Sequence, residues 1–518
     1  MIKFKTNRFV ILLTLSTIST YLISSINESY FSHKFFHDDS YYYFEISKNF
    51  IDTNKFTFDS VSSTNGFHFL WLFCLISVSF LFKLFLGILI NQLWVAIFLS
   101  ITFFLLSFEI ISRTYSQKNI DKIIIFIVFV LFIPFFFNGM ETALTIYLFI
   151  LYIDRVFISN KKNNLLLVVL LMFSRYDSIF LLFFISLYKS IKNKKLDFAK
   201  HFFLAFLIFL ILLLSFNFYL GFNNSEFSVS SSTKQFWNQI EYQEHISKCE
   251  EINLNCKAYF VFYQFKLIPD YMSNVNKLLF SIFDNFVAYN SFGKISNFSI
   301  FSILIVLYFF LSFNFIKKPI IKTIDLNFLI IVATFHLTSI SLISYINISH
   351  DWYNYFFIAI YIYLINEVLI RKNTLIKFSL SFLIVGNLLI FLFSPVSYWS
   401  KSYENTVDTL NLYENKIIGT WAAGHIGFYS ENPVINLEGL VGNSRILEAN
   451  MTKSLDKYIL NNIDIIVTNF DLNNSYNTNW FLNLRTDPLN KISNNLKLVR
   501  VVTTDQNKYN MYIYEVLK

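Results

Sequence analysis

The sequence is short of charge, of glycine and proline, and of cysteine. Only 15% of its 518 residues are Asp, Glu, Lys or Arg, against roughly 25% in ordinary soluble domains. With 55% hydrophobic residues, 65 of them Phe across the chain, and a mean hydropathy of +0.50, it could not stay soluble as one globule, which excludes a cytosolic enzyme. Eleven Gly and six Pro exclude a collagen-like fibre, and the apolar content excludes a disordered chain. The three Cys form no CxxC and no Cys/His spacing of a structural zinc site. Cys249 and Cys256 could close a small disulfide if their loop faces an oxidising compartment, with two free thiols as the alternative. No whole-chain repeat is visible, which argues against an inverted-repeat transporter.

What is present is a series of apolar runs. A spanning helix needs about 20 such residues, and the candidates are 9–26, 91–112, 123–137, 142–158, 164–174, 178–188, 201–220, 297–316, 326–346, 353–370 and 375–394. The pattern predicts an α-helical polytopic membrane protein of about eleven transmembrane helices. Runs 164–174 and 178–188 are too short to cross unaided and predict tilted helices inside the bundle. Segment 69–90 is also apolar, but Lys83 and Gly87 interrupt it.

Basic residues in short loops stay cytoplasmic, and this bias decides how to count 69–90. If that segment lies on the outer surface or re-enters, every basic loop falls on one side: Lys3–Arg8, Arg113–Lys122, Arg155–Lys162, Lys189–Lys200, Lys317–Lys322 and Arg371–Lys377. The other side receives 27–68, with three basic and six acidic residues. The prediction is therefore a multi-pass protein of the inner or plasma membrane, with its N-terminus cytoplasmic. Residues 1–394 form the transmembrane domain, with outer loops 27–90 and 221–296, and 395–518 form an extracytoplasmic α/β domain. The first run has a basic flank like a signal peptide but no small-x-small cleavage site, so it reads as an uncleaved helix. The net charge of +8 is thus a topology signal, and no nucleic-acid partner is expected.

The tail changes character. It is polar and Asn-rich, with strand-like runs at Lys416–Trp421, Pro433–Leu437, Ile463–Thr468, Leu496–Thr503 and Met511–Val516, and helical periodicity over Ile446–Leu460.

The ionisable residues of the outward turns carry the chemistry. The first outer loop opens with His37, Asp38, Asp39 and Ser40, then Tyr41 to Tyr43. Asp39 reads either as the N-cap of an amphipathic helix carrying Tyr42, Ile46 and Phe50 on one face, or as a base or cation ligand at the membrane boundary. Thr57-Phe58-Asp59 and Thr64-Asn65-Gly66-Phe67-His68 follow, then Asn138-Gly139-Met140-Glu141, Ser174-Arg175-Tyr176-Asp177 and His350-Asp351-Trp352-Tyr353. The inward turns carry mainly lysines, so a polar site is expected at the outer boundary. Of the acids within the spans, Glu109 and Glu367 lie near inner ends.

Taken in order, Asp38-Asp39-Ser40-Tyr41-Tyr42-Tyr43-Phe44, Thr-Phe-Asp at 57–59, Thr-Asn-Gly-Phe-His-Phe-Leu-Trp at 64–71, Asn-Gly-Met-Glu at 138–141, Ser-Arg-Tyr-Asp at 174–177, Ser228-Val229-Ser230-Ser231 and the 424–443 segment resemble bacterial GT-C-fold membrane glycosyltransferases. The similar branch is that of the arabinofuranosyltransferases and, more distantly, the lipid A aminoarabinose transferase and the protein O-mannosyltransferases. The resemblance covers about residues 30–443. It implies a polyprenyl-phosphate-linked sugar donor, a cell-envelope acceptor, membrane lipid as partner, and an acidic residue after the first helix as catalytic base.

On that resemblance Asp39 is the expected base, with Asp38 the close alternative. Glu141 would orient the acceptor or hold a divalent cation, Mg or Mn, with Asp38 as a second ligand. Arg175 is expected at the donor phosphate because a guanidinium binds phosphate oxygens in pairs, with Lys234 and His68 behind it. The bland alternatives are an Arg175–Asp177 pair, an N-cap role for Glu141, a satisfied His68 among aromatics and a surface Lys234. Tyr41 to Tyr43 and Trp71 resemble sugar-stacking platforms or an interfacial belt. Gly424-His425-Ile426-Gly427 and Pro433–Gly439 would bind acceptor or pack the tail onto the bundle. A membrane glycan polymerase or ligase would predict outer-loop Arg pairs, which are missing, and a transporter would predict mid-membrane charges.

Overall fold

In the computed structural model, the described residues are 6–24, 35–87, 90–116, 119–130, 132–159, 164–222, 228–230, 232–233, 325–332, 355–371, 398–421, 423–441, 444–469, 487–503 and 510–518. Lys234, Cys249, Cys256, His350–Tyr353, the runs 297–316 and 375–394, and the proposed boundary at 394/395 lie outside them. The described helices of the first part include α1 (Thr6–Ser24), α2 (Asp38–Thr53), α3 (Phe69–Leu86), α4 (Gln92–Tyr115), α5 (Asn119–Val130), α6 (Thr142–Ile153), α7 (Leu165–Ser174), α8 (Ser178–Asn193), α9 (Asp197–Tyr219) and α10 (Tyr355–Arg371).

Helix α4 is the centre of the bundle. Val95, Ile97, Leu99 and Ile101 are buried, and its Asn91 cap accepts from the Leu93 amide at 3.0 Å. Two described helices, α4 and α9, are long and apolar enough to cross a membrane. They differ in environment: α9 leaves Leu207, Ile211 and Phe218 exposed, as expected of a lipid-facing stripe, whereas α4 is wrapped by its neighbours. The run 123–137 is not one helix. Helix α5 stops at Val130, and a single turn, Ile133–Phe136, restarts at Pro134, because proline has no amide to continue the ladder. The run 142–158 likewise leaves α6 for a π-turn at Asp154–Ile158.

Segment 69–90 forms the single helix α3, closed by Gly87 in the left-handed conformation (φ 67°). Ser79 Oγ donates to Gln92 Oε1 at 2.8 Å and Phe82 meets Phe98 edge-on with ring centroids 5.9 Å apart, so the second half of α3 packs against the first two turns of α4.

Two ends of the bundle can be told apart by contacts. Glu141 at the start of α6 lies beside Tyr43 of α2, and Trp71 of α3 donates to the Gly139 carbonyl at 3.2 Å. From there α4 and α6 run the same way, since Phe103 stacks on Tyr147 and Thr114 reaches Asp154 at 3.4 Å. The far end gathers basic residues: Lys189 sits 4.1 Å over the Phe157 ring, and Lys192 bonds Asp325 at 2.6 Å, with Tyr188 on the same carboxylate. The acidic α2 end and the lysine-bearing end are therefore opposite.

The tail folds around a five-stranded sheet of order β2-β1-β3-β5-β4, with β1 (Ile418–Thr420), β2 (Val434–Asn436), β3 (Ile465–Thr468), β4 (Leu496–Val502) and β5 (Met511–Val516). Strands β2, β1 and β3 are parallel, and β5 runs antiparallel to both β3 and β4. The parallel pairs need helical crossovers. The described helices here, after α11 (Tyr398–Leu410), are α12 (Gly424–Tyr429), α13 (Ser444–Met451) and α14 (Leu455–Asn462). The single helical run expected over 446–460 is two helices, broken where Lys453 takes φ 54°. Trp421, Leu437, Ile446, Ile459 and Ile466 form a separate small core under the sheet.

Candidate active site at the first turn of helix α2

Helix α2 begins at Asp38, with His37 in the N-cap position and no side-chain cap bond. The N-cap reading of Asp39 is thereby corrected: both aspartates lie in the first turn, where the helix dipole favours negative charge. Positions four apart share a helix face. Asp38 shares a face with Tyr42 and Asp39 with Tyr43, and the two faces meet different parts of the protein.

The Asp38 face meets the tail domain. The Asp38 carboxylate accepts from the Gly424 amide at 3.1 Å and the His425 amide at 2.8 Å, one on each oxygen. One turn on, the Tyr42 hydroxyl accepts from Asn436 Nδ2 at 2.7 Å, and its ring packs edge-on against Phe58. Burial, followed by the charges of Asp38, Glu438 and Asp39, pushes the Tyr42 hydroxyl well above its ordinary pKa, so it stays protonated.

The Asp39 face leads to a buried ion cluster. Tyr43 donates to Glu141 Oε2 at 3.0 Å while accepting from the His68 amide at 3.3 Å. Glu141, 0% exposed, also receives the Arg175 guanidinium at 2.6 Å. Arg175, 3% exposed, binds Asp177 through two nitrogens at 3.0 and 3.2 Å, and lies 5.0 Å over the Tyr355 ring. Burial alone would lower its pKa, but Asp177 and Glu141 overturn that and raise it well above the usual value. His68, with 24% of its side chain exposed, is the open member, its Nε2 3.6 Å from Glu141. Glu141 occupies the N-cap position of α6, yet its side chain makes no capping bond; it points into this cluster instead.

The loops are fixed by their own motifs. In Thr-Asn-Gly-Phe-His, the Asn65 amide donates to Asn217 of α9 at 3.1 Å, and its oxygen accepts from the Val229 amide at 2.8 Å. Asp59 folds its turn by accepting from the Val61 and Ser62 amides at 2.9 and 2.7 Å. Gly139, at φ 76°, brings its backbone against Phe36 and Ser40, where a Cβ would stand 2.9 Å from either side chain.

The structure brings Glu141, Arg175 and His68 together beside Tyr43, while Asp38 turns to the tail. Arg175, expected at a donor phosphate, is committed to Asp177 and Glu141. The Asp38 carboxylate accepts from the tail amides and the Glu141 carboxylate from Tyr43 and Arg175, and among the described residues no group of three His, Cys, Asp or Glu side chains could hold a metal ion. Tyr41, Tyr42, Tyr43 and Trp71 are all buried, so their rings are packing surfaces here and offer no face to a sugar. Tyr355 was missed from sequence because it enters a helix with no marking motif.

No family model matches the sequence, and no curated protein matches it. Among solved structures, the fold is similar to the crystal structure of ArnT from Cupriavidus metallidurans in the apo state. The identity is 11%, the match covers 96% of this chain and 98% of that one, and the TM-score is 0.42, a likeness too loose to bear on function.

Proposed function

We propose that this chain is a polytopic membrane glycosyltransferase that moves a sugar, with inversion, from a polyprenyl-phosphate donor to a cell-envelope acceptor on the outer face of the membrane. The observation that supports it best is the partition of the first turn of α2. Asp38 accepts from two amides of the tail, and Asp39, half-buried, stands one helical turn before Tyr43, which bonds Glu141.

In this reading Asp39 takes the proton of an acceptor hydroxyl, whose oxygen attacks the anomeric carbon as the bond to the lipid phosphate breaks. The electron pair leaves with the polyprenyl phosphate. His68, the open member of the cluster, is the candidate donor toward that phosphate. Arg175 acts at one remove by holding Glu141, and through Glu141 the Tyr43 hydroxyl. Lys234 remains a candidate for the phosphate.

The test is deletion of the gene followed by mass spectrometry of surface glycans, with complementation by the parent and by Asp39→Asn. The expected result is loss of one monosaccharide, restored by the parent and not by the variant. An unchanged glycan profile in the deletion strain would overturn the proposal.

A further inference from the structure

We infer that Asp38 is a positioning residue, a latch by which the tail domain holds the first turn of α2 and so sets the direction of Asp39. This inference rests on the proposed function for its consequence, though not for its geometry. The two bonds from Asp38 cross 386 and 387 residues of sequence to adjacent backbone amides. A carboxylate that accepts from two N–H groups is held in position and in rotamer, because a charge-assisted bond is about twice as strong as a neutral one.

A second, independent observation is steric. A Cβ on Gly424 would fall on the Asp38 carbonyl oxygen, closer than real Cβ atoms approach, and would stand 3.0 Å from the Asp38 carboxylate carbon. Glycine at 424 is what lets the tail come this near to the helix. The seam continues on both sides. Gly427 admits the Phe58 ring, and Gly66 admits the Leu440 carbonyl. Tyr41 meets His425 and Tyr429 with ring centroids 5.0 and 5.7 Å apart, and Asn436 donates to Tyr42. The tail thus grips α2 over its first two turns, along the face that excludes Tyr43.

A latch and a base respond differently to the same replacements. Asparagine at 38 keeps one acceptor oxygen for the two amides and loses the charge, whereas alanine keeps neither. A base is lost in both. The experiment uses the full chain and compares Asp38→Asn, Asp38→Ala, Asp39→Asn and Asp39→Ala. One readout is hydrogen–deuterium exchange at the Gly424 and His425 amides; the other is restoration of the surface glycan in the deletion strain.

Expected are exchange at those two amides at least about tenfold faster in Asp38→Ala, a smaller rise in Asp38→Asn and parental exchange in both Asp39 variants. Glycan restoration should be graded at position 38, Asn above Ala, and absent in both Asp39 variants. Parental exchange in Asp38→Ala would overturn the latch. So would an Asp38→Asn variant with parental exchange and no glycan restoration, because Asp38 would then act through its charge on the reaction. Full restoration by Asp39→Asn would instead defeat the base assignment and leave the exchange result to judge the latch.

Discussion

Replacing Arg175 by Met removes the cation at the centre of the buried cluster and leaves two carboxylates behind. Glu141 has no exposed surface and would keep the Tyr43 hydroxyl at 3.0 Å and His68 at 3.6 Å. Asp177, at 18% exposure, can recover part of its hydration. Stranding one partner of a buried pair typically costs about 3–5 kcal/mol, and the Glu141 environment places Arg175→Met near the middle of that range. Glu141→Gln should cost less, about 1–2 kcal/mol, because the amide oxygen can still accept while Arg175 keeps both bonds to Asp177. The double variant should recover about 2 kcal/mol over the sum of the singles, since no charge is then stranded at 141. The assay is denaturant unfolding in detergent micelles followed by tryptophan fluorescence. A loss under about 1 kcal/mol for Arg175→Met, or strict additivity in the double variant, would refute the reasoning.

Two further predictions follow from residues around α2. Burial lifts the Glu45 carboxyl from 4.5 to about 7, against the opposing charge of Lys48. A carboxyl whose folded pKa is raised contributes stability that is fully present below the unfolded pKa and lost as pH rises through the folded one, here from about 4.5 to 7. Glu45→Gln should therefore flatten the pH dependence of stability in that window and stabilise the protein at pH 8 by up to about 3 kcal/mol; an unchanged pH profile in thermal melts would contradict this. Gly139→Ala places a Cβ at φ 76°, 2.9 Å from Phe36 and Ser40, and should cost about 2 kcal/mol while loosening the 2.6 Å bond from Ser40 to the Asn138 carbonyl. A parental melting temperature would show that the turn adapts.

Much of this was legible in the sequence. The five strand runs of the tail each contain a strand, because short runs rich in Ile, Val and Tyr between polar, Asn-rich stretches favour extended backbone. Among the described residues, Glu141 and Asp177 of the outward turns meet at one end and Lys189 and Lys192 lie at the other, because a carboxylate or ammonium is costly to leave unpaired within the bundle. Three things were not legible, each for a physical reason. The break at Lys453 is a backbone event in a run whose apolar spacing continues across it. Arg175 has Asp177 two residues away and Glu141 34 away, and composition cannot say which anion a guanidinium will meet. The engagement of Asp38 depends on a contact with Gly424, nearly four hundred residues distant, so its role beside an adjacent and chemically identical residue could be read only from geometry.

The central claim is that Asp39 deprotonates the acceptor, and its most direct measurement is transfer by Asp39→Asn in membranes given a labelled polyprenyl-phosphate sugar, at expression matched to the parent. Loss of general-base assistance predicts a rate lower by about 10²–10⁴-fold with the fold intact. Transfer at the parental rate would contradict it.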